Sequence, residues 1–330
     1  MDFREFCEIW KLDAKQLFSL EGIWQEKINS GEGRQPFFLT LEYFEKVISL
    51  SKPPFEISVL RSYAEDVIRI AEEVPAVSLL ARTIYHGELV ETPQIFIMNG
   101  KENLPYLGEK YTGFFYFMIS LGALPLMEKK CSQLGIPEQY ARDAMAWFGG
   151  TMIAYKRAHN GLPGRPGNFN WIRKYVEGTL FRIGRLEYLI HKCPDWIPPV
   201  FRNRAGKIAV LCGDGWCLNN KGVIVEPPAE ASFVSHIRET SDEWEGNIIF
   251  PDGRVDFANT SVLAKDLWHP VVSAWDLCPS LHIPAGERLP FHEVKRSLIA
   301  AQEFFQKYFH RQCPLFCCNS WILNAAWEEL

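Results

Sequence analysis

Residues 281–330 read LHIPAGERLPFHEVKRSLIAAQEFFQKYFHRQCPLFCCNSWILNAAWEEL, and this stretch decides the fold. A short apolar run ends in His282 and the turn Pro284–Ala285–Gly286. Pro290 then opens a helix, a place that suits proline because a first-turn N–H has no intrahelical partner. Phe291, Val294, Leu298, Ala301, Phe305 and Phe309 fall on one stripe of that helix. A second buried strand is predicted at 315–321. Strand, turn, helix, strand is a β-α-β unit. The free N–H groups and partial positive charge at the N-terminus of its helix can hold an anionic ligand.

Working outward, 330 residues suffice for two domains with a core in each. Hydrophobic residues make up 47% and aromatic residues 14%, which marks a packed globular chain. With 35 basic against 40 acidic residues the formal charge is −5, so the chain lacks the basic field of a nucleic-acid groove. Residues 111–127, YTGFFYFMISLGALPLM, are uncharged but just short of the ~18 apolar residues of a spanning helix. They also contain Gly113, Gly122 and Pro125, so they predict a buried core helix and no membrane span. The opening MDFREFCEIW carries charges where a signal peptide has its apolar core, which points to the cytoplasm. The nine cysteines are then mostly thiols. They lack the CxxC pairs of common zinc sites, so no metal is expected.

Apolar residues at three- and four-residue spacing predict helices over 41–50, 55–73 and 77–85. Pro137 opens another, with Ala144, Trp147, Phe148, Met152 and Tyr155 on one face and an end near Asn160. GLPGRPGN, 161–168, reads as a linker. A further helix is predicted over 169–192, ended by Pro194. From Lys207 the pattern turns to strands: 207–218 and 222–226 around an Asn219–Gly222 turn, then 232–240, 247–250, 254–259 and 277–283. Strands followed by strand–helix–strand predict an α+β fold with a mixed sheet.

Arg182 and Arg185, in LFRIGRLEYL, fall within about 100° of Trp171, Tyr175, Leu186 and Leu189 on a helical wheel, the width of one apolar face. Such arginines need an anionic partner: a bound phosphate or carboxylate, or a structural Asp or Glu. His282, at the end of a buried strand, is placed for proton transfer, or is a hydrogen-bonded structural group. Ser297, Ser320 and Trp321 are further candidates, although no G-x-S-x-G elbow, Walker loop or dinucleotide fingerprint surrounds them. A thiol enzyme built on Cys317 or Cys318 needs a histidine partner that the sequence does not place.

GIPEQYARDAMAWFG at 135–149, LFRIGRLEYL at 180–189, LWHPVVSAWDLCPSLHIPAGERL at 267–289 and CCNSWIL at 317–323 together resemble bacterial acyltransferase domain-containing proteins. Those proteins join a helical N-acyltransferase N-terminal domain to a GNAT-like C-terminal domain. The resemblance runs over 134–330. It implies a helical domain at 1–160 and a GNAT-like domain at 161–330, with a mixed, mostly antiparallel sheet and flanking helices. It also implies transfer of an acyl group from an acyl-CoA, or a related thioester, to a small-molecule acceptor. By position, Ile283, Ala285, Gly286, Glu287 and Arg288 would cradle the CoA pyrophosphate. His282, as general base, and Ser320 would be the catalytic residues, and Arg182, Arg185 and Trp321 would contact substrate. The Q/R-x-x-G-x-G/A signature of that loop is absent from 283–289. The thiolate-protonating tyrosine of ordinary GNAT enzymes has no counterpart in 315–330. The alternative is therefore a non-catalytic ligand-binding protein on the same scaffold.

Overall fold

A computed structural model describes residues 1–24, 35–92, 95, 101–191, 197–225, 231–272, 277–285 and 288–320. The chain divides into two compact units: Met1–Glu187 with Pro284–Lys295, and Tyr188–Ile283 with Arg296–Leu330.

The first unit is helical. It holds α1 (Phe3–Trp10), α2 (Ala14–Ile23), α3 (Leu41–Val47), α4 (Ile57–Glu73), α5 (Pro75–Ile84), α6 (Gly108–Leu121), α7 (Leu124–Gln133), α8 (Gln139–Ala144), α9 (Ala146–Ala158) and α10 (Asn170–Glu177). Local chemistry sets several starts. Asp13 and Gln16 form a reciprocal capping box ahead of α2. The Thr40 hydroxyl accepts the Tyr43 N–H at 3.3 Å ahead of α3. Pro75 sits in the first turn of α5. Beyond α5 the chain continues as a π-helical turn, Tyr85–Val90.

The uncharged stretch becomes the centre of this unit. Every residue from Thr112 to Leu121 in α6 is buried. An all-round apolar helix of this length needs neighbours on every side. Burying each large side chain contributes about 1.5–3 kcal/mol. Among the described residues no helix is long and apolar enough to cross a membrane. The loop at 161–168 packs onto α6, and the Arg165 N–H donates to the Gly113 carbonyl at 3.0 Å.

The predicted helix over 169–192 is corrected. Only Asn170–Glu177 is helical, closed by Gly178 at φ 70°. The chain then forms the hairpin β1 (Leu180–Ile183) and β2 (Leu186–Leu189) around the two-residue loop Gly184–Arg185. Gly184, at φ 62°, takes the left-handed conformation at the first loop position, which other residues adopt at a steric penalty. Both strands are buried almost throughout, and a short run buried on both faces reads alike as strand or helix.

The second unit carries small sheets. These are built from β3 (Val200–Asn203), β4 (Ile208–Val210), β5 (Cys217–Leu218), β6 (Phe233–Val234), β7 (Arg238–Glu239), β8 (Glu243–Gly246), β9 (Ser261–Ala264) and β10 (Trp268–Pro270). The orders are β10-β3-β4, β5-β6 and β7-β8-β9, all antiparallel. Phe201 pairs with Ala209, and Trp244 with Leu263. Phe201, Ala209, Leu211 and Leu263 form one core, with Ile237, Trp244, Ile248 and Trp268 packed on it. The predicted strand over 232–240 is broken into β6 and β7, and 247–250 and 254–259 form only isolated bridges.

β11 (Ser280–His282) precedes the final helix α11 (Phe291–Phe309). The strand predicted at 315–321 reduces, among the described residues, to one parallel bridge between Ser280 and Cys317. Leu281 N–H donates to the Cys317 carbonyl at 2.6 Å, and Cys317 N–H to Pro279 at 3.1 Å. α11 buries Ser297, Ala301, Phe304 and Phe305, whereas Phe291, expected on the buried stripe, is exposed.

Gly178→Ala forces an L side chain into left-handed backbone, against the Lys130 and Leu134 side chains. It is expected to destabilise the chain by about 1–2 kcal/mol, measured as a lower urea midpoint.

Candidate active site

In the first unit a polar cluster surrounds Glu187. Glu187, on β2, is 2% exposed. The Tyr175 hydroxyl donates to its Oε1 at 2.6 Å and the Trp171 indole N–H to its Oε2 at 3.1 Å. Arg182 and Arg185, both buried on the same hairpin, lie near enough to offset its charge. Burial pushes the Glu187 carboxyl above the ordinary range, and the two hydrogen bonds and two arginines counter this only in part. Burial and the Glu187 charge hold the Tyr175 phenol well above its ordinary value. The two arginines therefore share a buried carboxylate from their own hairpin.

Arg185 has a second role. Its Nε donates to the Arg288 carbonyl and its Nη2 to the Pro284 carbonyl, both at 2.8 Å. One guanidinium fork thus holds both ends of the turn that leads into α11. Beneath that turn lies Gly150, where a Cβ would stand 3.1 Å from the Ala285 carbonyl oxygen. Pro284 is buried, Ala285 and Arg288 are exposed, and Gly286 and Glu287 lie outside the described residues. Pro290 accepts the Glu293 and Val294 N–H groups at 3.0 and 3.2 Å as α11 begins.

In the second unit a separate cluster lies on β11. Alternation along a strand puts Ser280 and His282 on one face and Leu281 on the other. The Ser280 Oγ is 2.5 Å from His191 Nε2 and 3.2 Å from Cys317 Sγ. The backbone holds the histidine in place through the Cys278 N–H, which donates to the His191 carbonyl at 3.2 Å. Cys317 Sγ also lies 3.8 Å from the Pro279 carbonyl and 4.0 Å from that of Cys278. His282 and Ile283 are half-buried. Ser320 is half-buried three residues beyond Cys317 and, among the described residues, does not join these hydrogen bonds; Trp321 lies outside them. Ser297 meets the Tyr188 hydroxyl at 3.0 Å. Burial pushes that phenol up to about 12. Among the described residues the cysteines are free thiols, and no group of three His, Cys, Asp or Glu could hold a metal ion.

His191 and Ser280 were not singled out from the sequence. His191 fell inside the helix predicted over 169–192, which hid its approach to β11. The two-residue spacing of Ser280 and His282 within a predicted strand was the available signal.

Residues 180–330 match the family model described as the GNAT-like C-terminal domain. Over those residues the chain is similar to GNAT-like C-terminal domains. Several solved structures share the fold of the whole chain. One is an acyltransferase in complex with decanoyl-CoA and teicoplanin, at a TM-score of 0.57 and 16% identity, covering 100% of this chain and 76% of that one. Another is an acyltransferase in complex with CoA and 10C-teicoplanin, at 0.56 and 17%, with the same coverage. A mutant acyltransferase in complex with octanoyl-CoA gives 0.56 and 16%, again with that coverage. At these identities the likeness is one of fold. No curated protein sequence matches the chain.

Two outcomes follow from the β1–β2 hairpin. Arg185→Ala removes two charge-assisted bonds to the turn and is expected to cost at least about 1.5–3 kcal/mol, measured by urea denaturation. The folded pKa of Glu187 stands above its unfolded value, so the ionised carboxylate opposes folding at neutral pH. That opposition fades as pH falls through the raised value. In Glu187→Gln this contribution to the pH dependence of stability is expected to vanish, read from denaturation midpoints at neutral and mildly acidic pH.

Proposed function

We propose that this protein transfers an acyl group from an acyl-CoA to an amine on a small acceptor. The observation that carries the reading is the continuous segment β11–turn–α11, closed by the parallel bridge to Cys317 and lying within a match to the GNAT-like domain. The acyl-CoA and CoA found with the structurally similar acyltransferases support it.

In this reading the exposed turn around Ala285 and Arg288 and the first turn of α11 face the CoA pyrophosphate. Free N–H groups and the positive end of the helix dipole favour that anion, and the Arg288 guanidinium adds a charge. His282, on the same strand face as Ser280, takes the proton of the acceptor amine as the amide bond forms. Arg185 acts through the turn by holding its carbonyls. We place the protein in the cytoplasm, where thiols such as Cys317 and Cys318 stay reduced. The loop over 283–289 lacks the usual glycine signature, which favours the second reading, a binding protein without turnover.

Isothermal titration with acetyl-, octanoyl- and decanoyl-CoA is expected to show saturable heat and a thermal shift. Absence of both with every acyl-CoA would sink the proposal. His282→Ala is expected to lower kcat by about 10²–10⁴ while the acyl-CoA Kd stays within a few fold. Tight binding with no transfer to any amine tested would favour the binding protein instead.

A further inference from the structure

The outer face of the sheet β10-β3-β4, in the second unit, carries cations that no carboxylate answers. We propose that this face docks an acidic acyl carrier protein, which presents the acyl group as a thioester on its phosphopantetheine arm; this rests on the acyl-transfer reading above and names a donor for it.

The register of the sheet sets the face. Arg202 on β3 lies opposite Ile208 on β4 and His269 on β10, and all three are exposed. Val200 and Val210, paired two residues away on the same face, are half-buried. Phe201 and Ala209 point the other way, into the core. The β3–β4 turn adds Arg204 and Lys207, both exposed. That turn is tightly made. The Asn203 Oδ1 accepts the N–H groups of Ala205 and Lys207 at 3.0 and 2.9 Å, and Gly206 takes φ 81°. Its backbone is thus set before a partner arrives, which lowers the ordering cost of binding.

The charges on this face are one-sided. Among the described residues Arg202, Arg204 and Lys207 form no ion pair, and Asp266, exposed on the turn before β10, does not reach them. The neighbouring sheet β7-β8-β9 is different. There the Arg238 Nε donates to Glu245 and the Lys265 Nζ to Glu239, each at 2.7 Å. A chain with a formal charge of −5 has carboxylates to spare, yet it leaves these cations unmatched.

The surface suits an acidic amphipathic helix. Its apolar stripe would lie over Ile208, Val200 and Val210, and its carboxylates would meet Arg202, Arg204 and Lys207. A carrier must leave after each turnover, and a small contact steered by charge gives fast, reversible encounters. A membrane fits less well, because the tip of the turn is Ala205–Gly206 and offers no bulky side chain to insert. The acidic balance of the chain disfavours nucleic acid.

The reaction is unchanged by the carrier. The acceptor amine attacks the thioester carbonyl, a C–N bond forms and the C–S bond breaks. The amine proton ends on the departing thiolate, so the carrier leaves with its arm as the free thiol.

The test is fluorescence anisotropy of a labelled acidic acyl carrier protein bearing octanoyl-phosphopantetheine, titrated with the full chain. Saturable binding is expected. It should weaken as ionic strength rises from about 0.01 to about 0.15 M, over which the screening length falls from about 30 to about 8 Å. The double variant Arg202→Glu, Lys207→Glu should bind the carrier at least about 10-fold more weakly, with its urea midpoint and its octanoyl-CoA Kd by calorimetry unchanged. A carrier whose acidic helix is changed to lysine should recover affinity for that variant. No carrier binding beside intact octanoyl-CoA binding would overturn this inference and leave the acyl-CoA reading standing. Carrier binding that survives the double variant would overturn the docking surface. Loss of octanoyl-CoA affinity in the variant would assign the cations to CoA and overturn it too. Binding to anionic phospholipid vesicles but not to the carrier would assign the face to a membrane instead. Failure to bind either the carrier or any acyl-CoA would overturn both readings.

Discussion

The bidentate grip of Arg185 on the carbonyls of Pro284 and Arg288 is the interaction on which the candidate site depends. It ties a hairpin loop to a turn about a hundred residues further along the chain, with sequence separations of 99 and 103. An arginine buried this deeply is stable only if its charge and donors are met. Glu187 meets the charge, Tyr175 and Trp171 meet the carboxylate, and the turn carbonyls meet two of the donors. The turn is therefore positioned by a polar network inside an apolar unit. At Gly150 a Cβ would stand 3.1 Å from the Ala285 carbonyl oxygen, so glycine there leaves the turn uncrowded.

The second unit reaches its chemistry by a different route. Most of its strands are two to four residues long and pair in small antiparallel sheets. β11 differs because its neighbour at Cys317 runs parallel, which requires the long return through α11. That pairing sets Ser280 beside the thiol, and the two-residue strand period carries His282 to the same face. His191 then approaches from the end of β2, its Nε2 2.5 Å from the Ser280 Oγ.

Much of the architecture was legible in the sequence. The uncharged segment at 111–127 announced a buried helix, because no charge interrupts it. The stripe of α11 and the turn before it were readable from periodicity and proline. The hairpin at 180–189 was not: apolar residues fill both faces, so the period that separates helix from strand is lost. That one misreading placed Arg182 and Arg185 on a helix and removed His191 from consideration. Phe291, read as buried, is exposed because the inward face of α11 is set by Ser297, Ala301, Phe304 and Phe305.

By itself the sequence determined the helical first part, the strand-rich second part, the β-turn-α order of the last fifty residues and the likeness to GNAT-like proteins. These follow from local periodicity, turn residues and short motifs, which neighbours in the chain decide. Tertiary structure alone decided what Arg185 holds, which carboxylate its charge answers to, and that His191 meets Ser280. Those are contacts between segments far apart in the chain. Their partners are chosen by packing, and no local pattern of residues records which distant group will arrive.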